Sequence, residues 1–169
     1  ANEGQHAGGL VLDLRDNPGG LLDEAVDVAS VFLDGGPVVS YDTRGKPQKT
    51  LEAYAGGDLT TPLVVLVNPA TASAAEVVTA ALQDRNRAVV VGARTYGKGS
   101  VQEPSRLSDG SALELTVGRY VTPAGRSLDG VGVEPDVVVP DTEAPEVAEQ
   151  RAIEVLSGLL AAADGTGRG

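Results

Sequence analysis

Pro62-Leu-Val-Val-Leu-Val-Asn68 is an unbroken apolar run that stops at Pro69, and Ala70-Thr-Ala-Ser73 then leads into Ala74 to Asp84, a segment of helical composition. A second apolar run, Ala88-Val-Val-Val-Gly92, leads into Thr95-Tyr-Gly-Lys-Gly-Ser-Val-Gln102. Short apolar runs bounded by proline and glycine read as buried strands, and the stretch between them is long enough for a crossover helix. The unit is therefore strand, loop, helix, strand. It predicts that two neighbouring strand ends deliver Ser73 and Lys98 to one place.

The same pattern precedes it. Gly9-Leu-Val-Leu-Asp-Leu14 reads as a strand, Arg15-Asp-Asn-Pro-Gly-Gly20 as a breaker-rich loop, and Leu21 to Leu33 as a helix. The helix rests on apolar residues at 22, 25, 26, 29, 32 and 33, and Gly35-Gly36 stops it. Pro37-Val-Val-Ser-Tyr41 is a strand, and Asp42 to Gly57 a short hairpin with a turn at Gly45-Lys-Pro47. Strands alternating with helices predict a mainly parallel sheet covered by helices. Residues 101 to 139 read as β-rich, with a turn at Ser108-Asp-Gly-Ser111, a long strand from Ala112 to Thr122 and a short one over Pro135-Asp-Val-Val-Val139. Glu143 to Ala163 is a helix, expected to pack on the core, with assembly into a homo-oligomer as the alternative. Residues 1 to 8 are a polar lead-in, and the last six residues are expected to be disordered.

At 169 residues and 41% apolar composition the chain is about one domain long. With aromatic residues at 3%, the core must be built from Val, Leu, Ile and Ala. A net charge of −11 argues against nucleic acid, because phosphate binding needs clustered Lys and Arg. The absence of cysteine excludes disulfides and thiolate metal sites. No apolar stretch is long enough to span a bilayer as a helix. The start, Ala1-Asn-Glu-Gly4, has no initiator Met and suggests a fragment of a longer precursor.

A serine hydroxyl is a poor nucleophile without a base within hydrogen-bond reach. The sole histidine, His6, lies in the lead-in, which makes a Ser-His-Asp triad improbable. A lysine can replace histidine where burial disfavours the ammonium form. Lys98 is the candidate, flanked by glycines and following a buried strand, and Gln102 could orient its amine without adding charge. Ser73-Ala-Ala-Glu76 also reads as a capping box, so Ser73 stands at a helix N-terminus whether it caps or attacks. That position suits an oxyanion, with the amide of Ala74 as one donor and the Asn17-Pro-Gly-Gly20 loop as a source of another. Gly92-Ala-Arg-Thr-Tyr-Gly-Lys98 matches the phosphate-loop pattern, but Gly99 stands where Ser or Thr is needed and the following residues read as extended. No nucleotide is expected. The acidic residues show no metal spacing.

Five blocks taken in order resemble one family, the carboxyl-terminal processing peptidases or tail-specific proteases. They are residues 9–20, Asn68-Pro-Ala-Thr-Ala-Ser-Ala-Ala-Glu76, residues 92–102, Tyr120-Val-Thr-Pro-Ala-Gly-Arg126 and Gly130-Val-Gly-Val-Glu-Pro-Asp136. The resemblance implies Ser73 as nucleophile, Lys98 as general base, Gln102 as its orienting residue, and Gly19 and Ala74 as oxyanion donors, with Gly20 an alternative to Gly19. It implies an α/β fold, the spiral core of strand-strand-helix units shared with ClpP and crotonase-like proteins, with a β-rich closing segment and a C-terminal helix. The catalytic core would span residues 1–140 and the helix and tail 141–169. The implied reaction is serine endopeptidase cleavage of proteins or peptides near flexible C-terminal tails through an acyl-enzyme. It needs no metal or cofactor, and its implied setting is extracytoplasmic in bacteria. The PDZ domain that such proteases carry before the core is missing from these residues, so a peptide-binding or inactive fragment is the alternative.

Overall fold

The computed structural model describes residues 8–43 and 47–166. Four strands, β1 (Leu10–Asp13), β4 (Leu63–Val67), β5 (Val89–Gly92) and β8 (Val137–Val138), pair in that order as a parallel sheet. Four others, β3 (Lys49–Glu52), β2 (Pro37–Thr43), β7 (Ala112–Val121) and β6 (Ser100–Arg106), form an antiparallel sheet. Among the described residues there are three helices, α1 (Leu22–Ser30), α2 (Ala74–Asp84) and α3 (Pro145–Thr166).

β4 is buried along its whole length because both faces of the parallel sheet are covered. Side chains alternate across a strand, so Leu63, Val65 and Val67 join the larger core with α1, α2 and the second sheet. Val64 and Leu66 point the other way and meet Ala152, Val155, Leu156 and Leu159 of α3. The C-terminal helix therefore packs on the parallel sheet. Helix α2 is buried from Ala74 to Leu82, because it is wedged between that sheet, α1 and the second sheet. Its alanines permit the close approach on all sides.

Gly92 ends β5 with φ +132°, and a β-carbon there would lie 1.9 Å from the Val67 carbonyl oxygen. Only glycine lets the chain turn out of the sheet at this point. At the other end of β5 the Arg87 guanidinium donates to the carbonyls of Phe32 (3.0 Å), Asp58 (2.8 Å) and Thr61 (2.7 Å), joining the end of α1 to the start of β4. Burial draws the Arg87 pKa below its ordinary value, yet a guanidinium stays charged in any folded protein.

The strands and the 74–84 helix fall where the sequence puts them, but three expectations need correction. The helix-covered sheet is parallel as expected, but it is not the only one: the β-rich segment joins β2 through β7 in a second, antiparallel sheet that β3 also joins through β2, and only β8 returns to the parallel sheet. α1 ends at Ser30 and not at Leu33, since Val31 and Phe32 donate three residues back, to Val28 and Ala29, tightening its last turn. Residues 164–166, expected to be disordered, extend α3. The lead-in with His6, the turn residues Gly45 and Lys46, and residues 167–169 lie outside the described residues.

Arg87→Ala would leave several partly buried carbonyls without a donor, which predicts a loss of about 2–4 kcal/mol in unfolding free energy. Urea denaturation measures it, and a loss under about 0.5 kcal/mol would mean that water replaces the guanidinium.

Candidate active site

Two loops at the C-terminal ends of β1 and β4 are zipped together. Asn68 accepts from the Asp16 amide (3.0 Å) and donates to its carboxylate (2.9 Å), the Thr71 hydroxyl donates to the Leu14 carbonyl (2.8 Å), and the Ala72 amide donates to the Asn17 carbonyl (2.9 Å). These contacts press Gly19 against the start of α2. A β-carbon on Gly19 would stand 2.7 Å from the Ala72 oxygen, 2.8 Å from the Ala74 nitrogen and 2.9 Å from the Ser73 β-carbon, and its φ is +95°.

Only the Glu76 half of the capping box forms by hydrogen bond: its carboxylate accepts the Ser73 amide, the Glu76 amide donates to the Ser73 backbone carbonyl, and the serine hydroxyl caps no amide. The backbone is not that of an ordinary cap either. An N-cap residue normally has β-region dihedrals. Ser73 has φ 56° and ψ −121°, outside the small left-handed basin open to L-residues. Among the described non-glycine residues only Asp16, Ser73 and Asn86 have positive φ, and Asp and Asn tolerate it far better than serine. A strained serine on a sharp strand-to-helix turn is the geometry of a nucleophile elbow, in which the turn holds the hydroxyl clear of the helix.

The amide of Ala74, first in α2, donates to no described group, and neither does that of Gly20. The Gly19 amide is donated to Asn17 Oδ1 at 2.9 Å. Beside these glycines lies a cavity of about 200 Å³ lined by Leu14, Leu21, Ala25, Val28, Ala74 and Val78, with Glu24 among the polar groups at its wall. A separate cavity of about 260 Å³ near Asp13, Arg15 and Pro140 contains none of the predicted site residues. There Arg15 holds the Asp13 carboxyl below the usual carboxylate range and reaches the Pro145 carbonyl (2.8 Å) at the start of α3.

The segment carrying Lys98 comes to the same place by its backbone. Glu76 Oε2 accepts the amides of both Ser73 and Lys98, each at 2.8 Å, and Oε1 accepts the Gly97 amide (2.7 Å) and the Thr95 hydroxyl (2.5 Å). The Tyr96 amide donates to the Thr71 carbonyl (3.0 Å). The side chains are a different matter. Lys98 is exposed, Gln102 is exposed, and no hydrogen bond among the described residues joins Ser73, Lys98 and Gln102. The burial expected around the Lys98 side chain is thus not supplied by the described residues. A register shift between Val101 and Gln102 in the β6–β7 pairing sits beside Gln102; such irregularities re-aim side chains.

After Lys98 the chain enters β6, a strand, so the phosphate-loop pattern has no helix N-terminus behind it. Among the described residues no three His, Asp or Glu side chains gather to hold a metal ion, and no helix is long and apolar enough to cross a membrane. Sequence reasoning saw Glu76 only as half of a capping box. It gave no role to the closing segment, whose Val133 amide donates to Thr95 Oγ1 (2.7 Å) and whose Gly130 amide donates to the Gly97 carbonyl (2.9 Å).

The sequence profile of peptidase family S41 matches residues 1–139. The chain belongs to peptidase family S41. Its S41 relatives include a carboxy-terminal-processing protease of Bartonella bacilliformis, 49% identical over 135 residues that cover 78% of this chain and 31% of that protein. The chloroplastic carboxyl-terminal-processing peptidase 1 of Arabidopsis thaliana is 47% identical over 129 residues, covering 75% and 26%. Among solved structures, the photosystem II D1 C-terminal processing protease superposes with a TM-score of 0.76 at 42% identity, covering 86% of this chain and 38% of that one. The mixed α/β architecture, with one parallel and one antiparallel sheet, is that of its S41 neighbours. This chain spans well under half the length of each of these proteins.

A strained Ser73 predicts that Ser73→Gly stabilises the fold. Glycine adopts these dihedrals freely and a Ser-to-Gly cap change loses only a few tenths, so a net gain of about 1 kcal/mol is expected by chemical denaturation. A loss of stability would mean that the turn is not strained.

Proposed function

We propose that this chain is the catalytic core of a serine endopeptidase that cleaves proteins near their C-terminal tails. The observation that carries the reading is the turn at Ser73: strained dihedrals at the N-terminus of α2, with the Ser73 and Lys98 amides on one carboxylate oxygen. In this reading Lys98, in its neutral form, takes the Ser73 proton as the hydroxyl attacks a peptide carbonyl. Gln102 orients the amine. The Ala74 amide holds the oxyanion, together with the Gly19 amide once it leaves Asn17, or with that of Gly20. The lysine returns its proton to the leaving amine, and water then releases the acyl-enzyme.

Hydrogen bonds between catalytic groups often tighten only around substrate, so Lys98 would close on Ser73 when a peptide covers the site. An extended tail is the substrate that an open groove beside a sheet accepts. Bacterial and chloroplastic processing proteases among the relatives support an extracytoplasmic or lumenal setting.

A second reading, in which this chain holds extended peptides without cutting them, is favoured by the exposure of Lys98 and the lack of a bond from it to Ser73.

Cleavage of a disordered protein, followed from about pH 6 to 10, separates the two readings. Turnover should vanish in Ser73→Ala and in Lys98→Ala, and in the parent should rise with pH through one ionisation, since only the neutral amine accepts a proton. Turnover that survives in Ser73→Ala would refute the assignment; binding without turnover in the parent would select the second reading.

A further inference from the structure

Glu76 has no solvent exposure, and no cation neutralises it among the described residues. A buried carboxylate is tolerated only where donors replace its water, and this one has four: the amides of Ser73, Gly97 and Lys98 and the hydroxyl of Thr95. Two oxygens offer about four lone-pair sites, so the group is saturated, and every partner is a donor, which suits an acceptor-only carboxylate. A capping box needs one of these bonds, to the Ser73 amide. The other three all go to residues 95–98, which helix capping does not require. Only a charged, two-pronged acceptor in this position can hold the serine turn with one oxygen and the lysine segment with both.

From this we infer that Glu76 is a positioning residue: it sets the distance between the Ser73 turn and the Lys98 backbone, and so fixes the point from which the lysine side chain reaches the serine. The inference rests on the Ser-Lys reading of the site. The tether continues outward, because the Thr95 hydroxyl that donates to Glu76 also accepts the Val133 amide at 2.7 Å. Lys98 is an exposed residue whose amide is nonetheless held by an acceptor without exposure. That combination gives the tether a signature independent of catalysis.

Glu76→Gln keeps the shape but turns one prong into a donor facing donors. Two readouts on the full chain test the inference. In amide hydrogen exchange by NMR, Gly97 and Lys98 should be protected in the parent and should exchange more than about tenfold faster in Glu76→Gln, with the β4 amides unchanged. In kinetics, kcat should fall about a hundredfold with KM nearly constant, as expected for a misplaced base. In a Lys98→Ala background the same substitution should barely alter the residual rate at which a fluorophosphonate labels Ser73, because the group that it positions is gone.

Unchanged exchange at Gly97 and Lys98 in folded Glu76→Gln would overturn the inference, as would an equal loss of labelling with and without Lys98, which marks a cap acting on Ser73 alone. Should Glu76→Gln not fold, Thr95→Val removes one donor and is expected to show the same exchange change and a kcat loss of about tenfold; a folded Thr95→Val with parental exchange and kcat would overturn it equally. If the exchange behaves as expected but neither turnover nor labelling occurs in the parent, the catalytic role is overturned together with the Ser-Lys reading. Turnover that survives Ser73→Ala overturns that reading separately.

Discussion

One buried carboxylate joins the parts of this protein that chemistry would need together. Glu76 sits in the first turn of α2 and accepts from its own helix start and from a segment 19 to 22 residues further along the chain. Such a group is unfavourable unless every lone pair is occupied. The serine turn and the lysine segment therefore cannot separate without exposing unmet charge in the interior. Neighbouring contacts are built around the same junction: the Asn68, Thr71 and Ala72 bonds that bring the glycine loop against α2, and the Gly130 and Val133 bonds that brace the lysine segment from outside.

The turn at Ser73 runs against local preference, and the surroundings hold it there. β4 fixes the chain on one side and α2, buried from Ala74 to Leu82, fixes it on the other, so the energy of the unusual dihedrals is offset by apolar packing along both elements. Gly19 fits into the space that this turn leaves, close enough that no side chain could stand there. Strain, close approach and free amides thus have one origin, a sharp exit from a central strand into a helix with no room to relax.

Much of this was legible in the sequence. The run 63–67 announces a strand covered on both faces because it lacks alternation, and the 74–84 helix is bounded by Ser73 and by the polar residues after Leu82. Ser73 was legible as a helix start, and the family blocks added the expectation of a nucleophile there. The backbone strain that separates the two readings is a property of dihedrals and leaves no mark in composition. Glu76 was hidden by its own explanation: a capping box accounts for Ser73-Ala-Ala-Glu76 completely, so nothing local signals that three more donors arrive from elsewhere. The division into two sheets was illegible for a related reason, since β7 alternates well enough to lie in either sheet and only its partners, β2 and β6, decide. The exposure of Lys98 is a tertiary property, which no spacing of residues encodes.

The braces on the lysine segment come from residues 130 and 133, more than thirty positions after Lys98. Proteins are made from the N-terminus, so a growing chain contains Ser73, Glu76 and Lys98 well before it contains the residues that brace the lysine segment from outside. A nascent chain halted in that interval carries the chemical groups of the site without its outer support. The order of synthesis therefore leaves the lysine segment without these two contacts until residues 130 and 133 have been made.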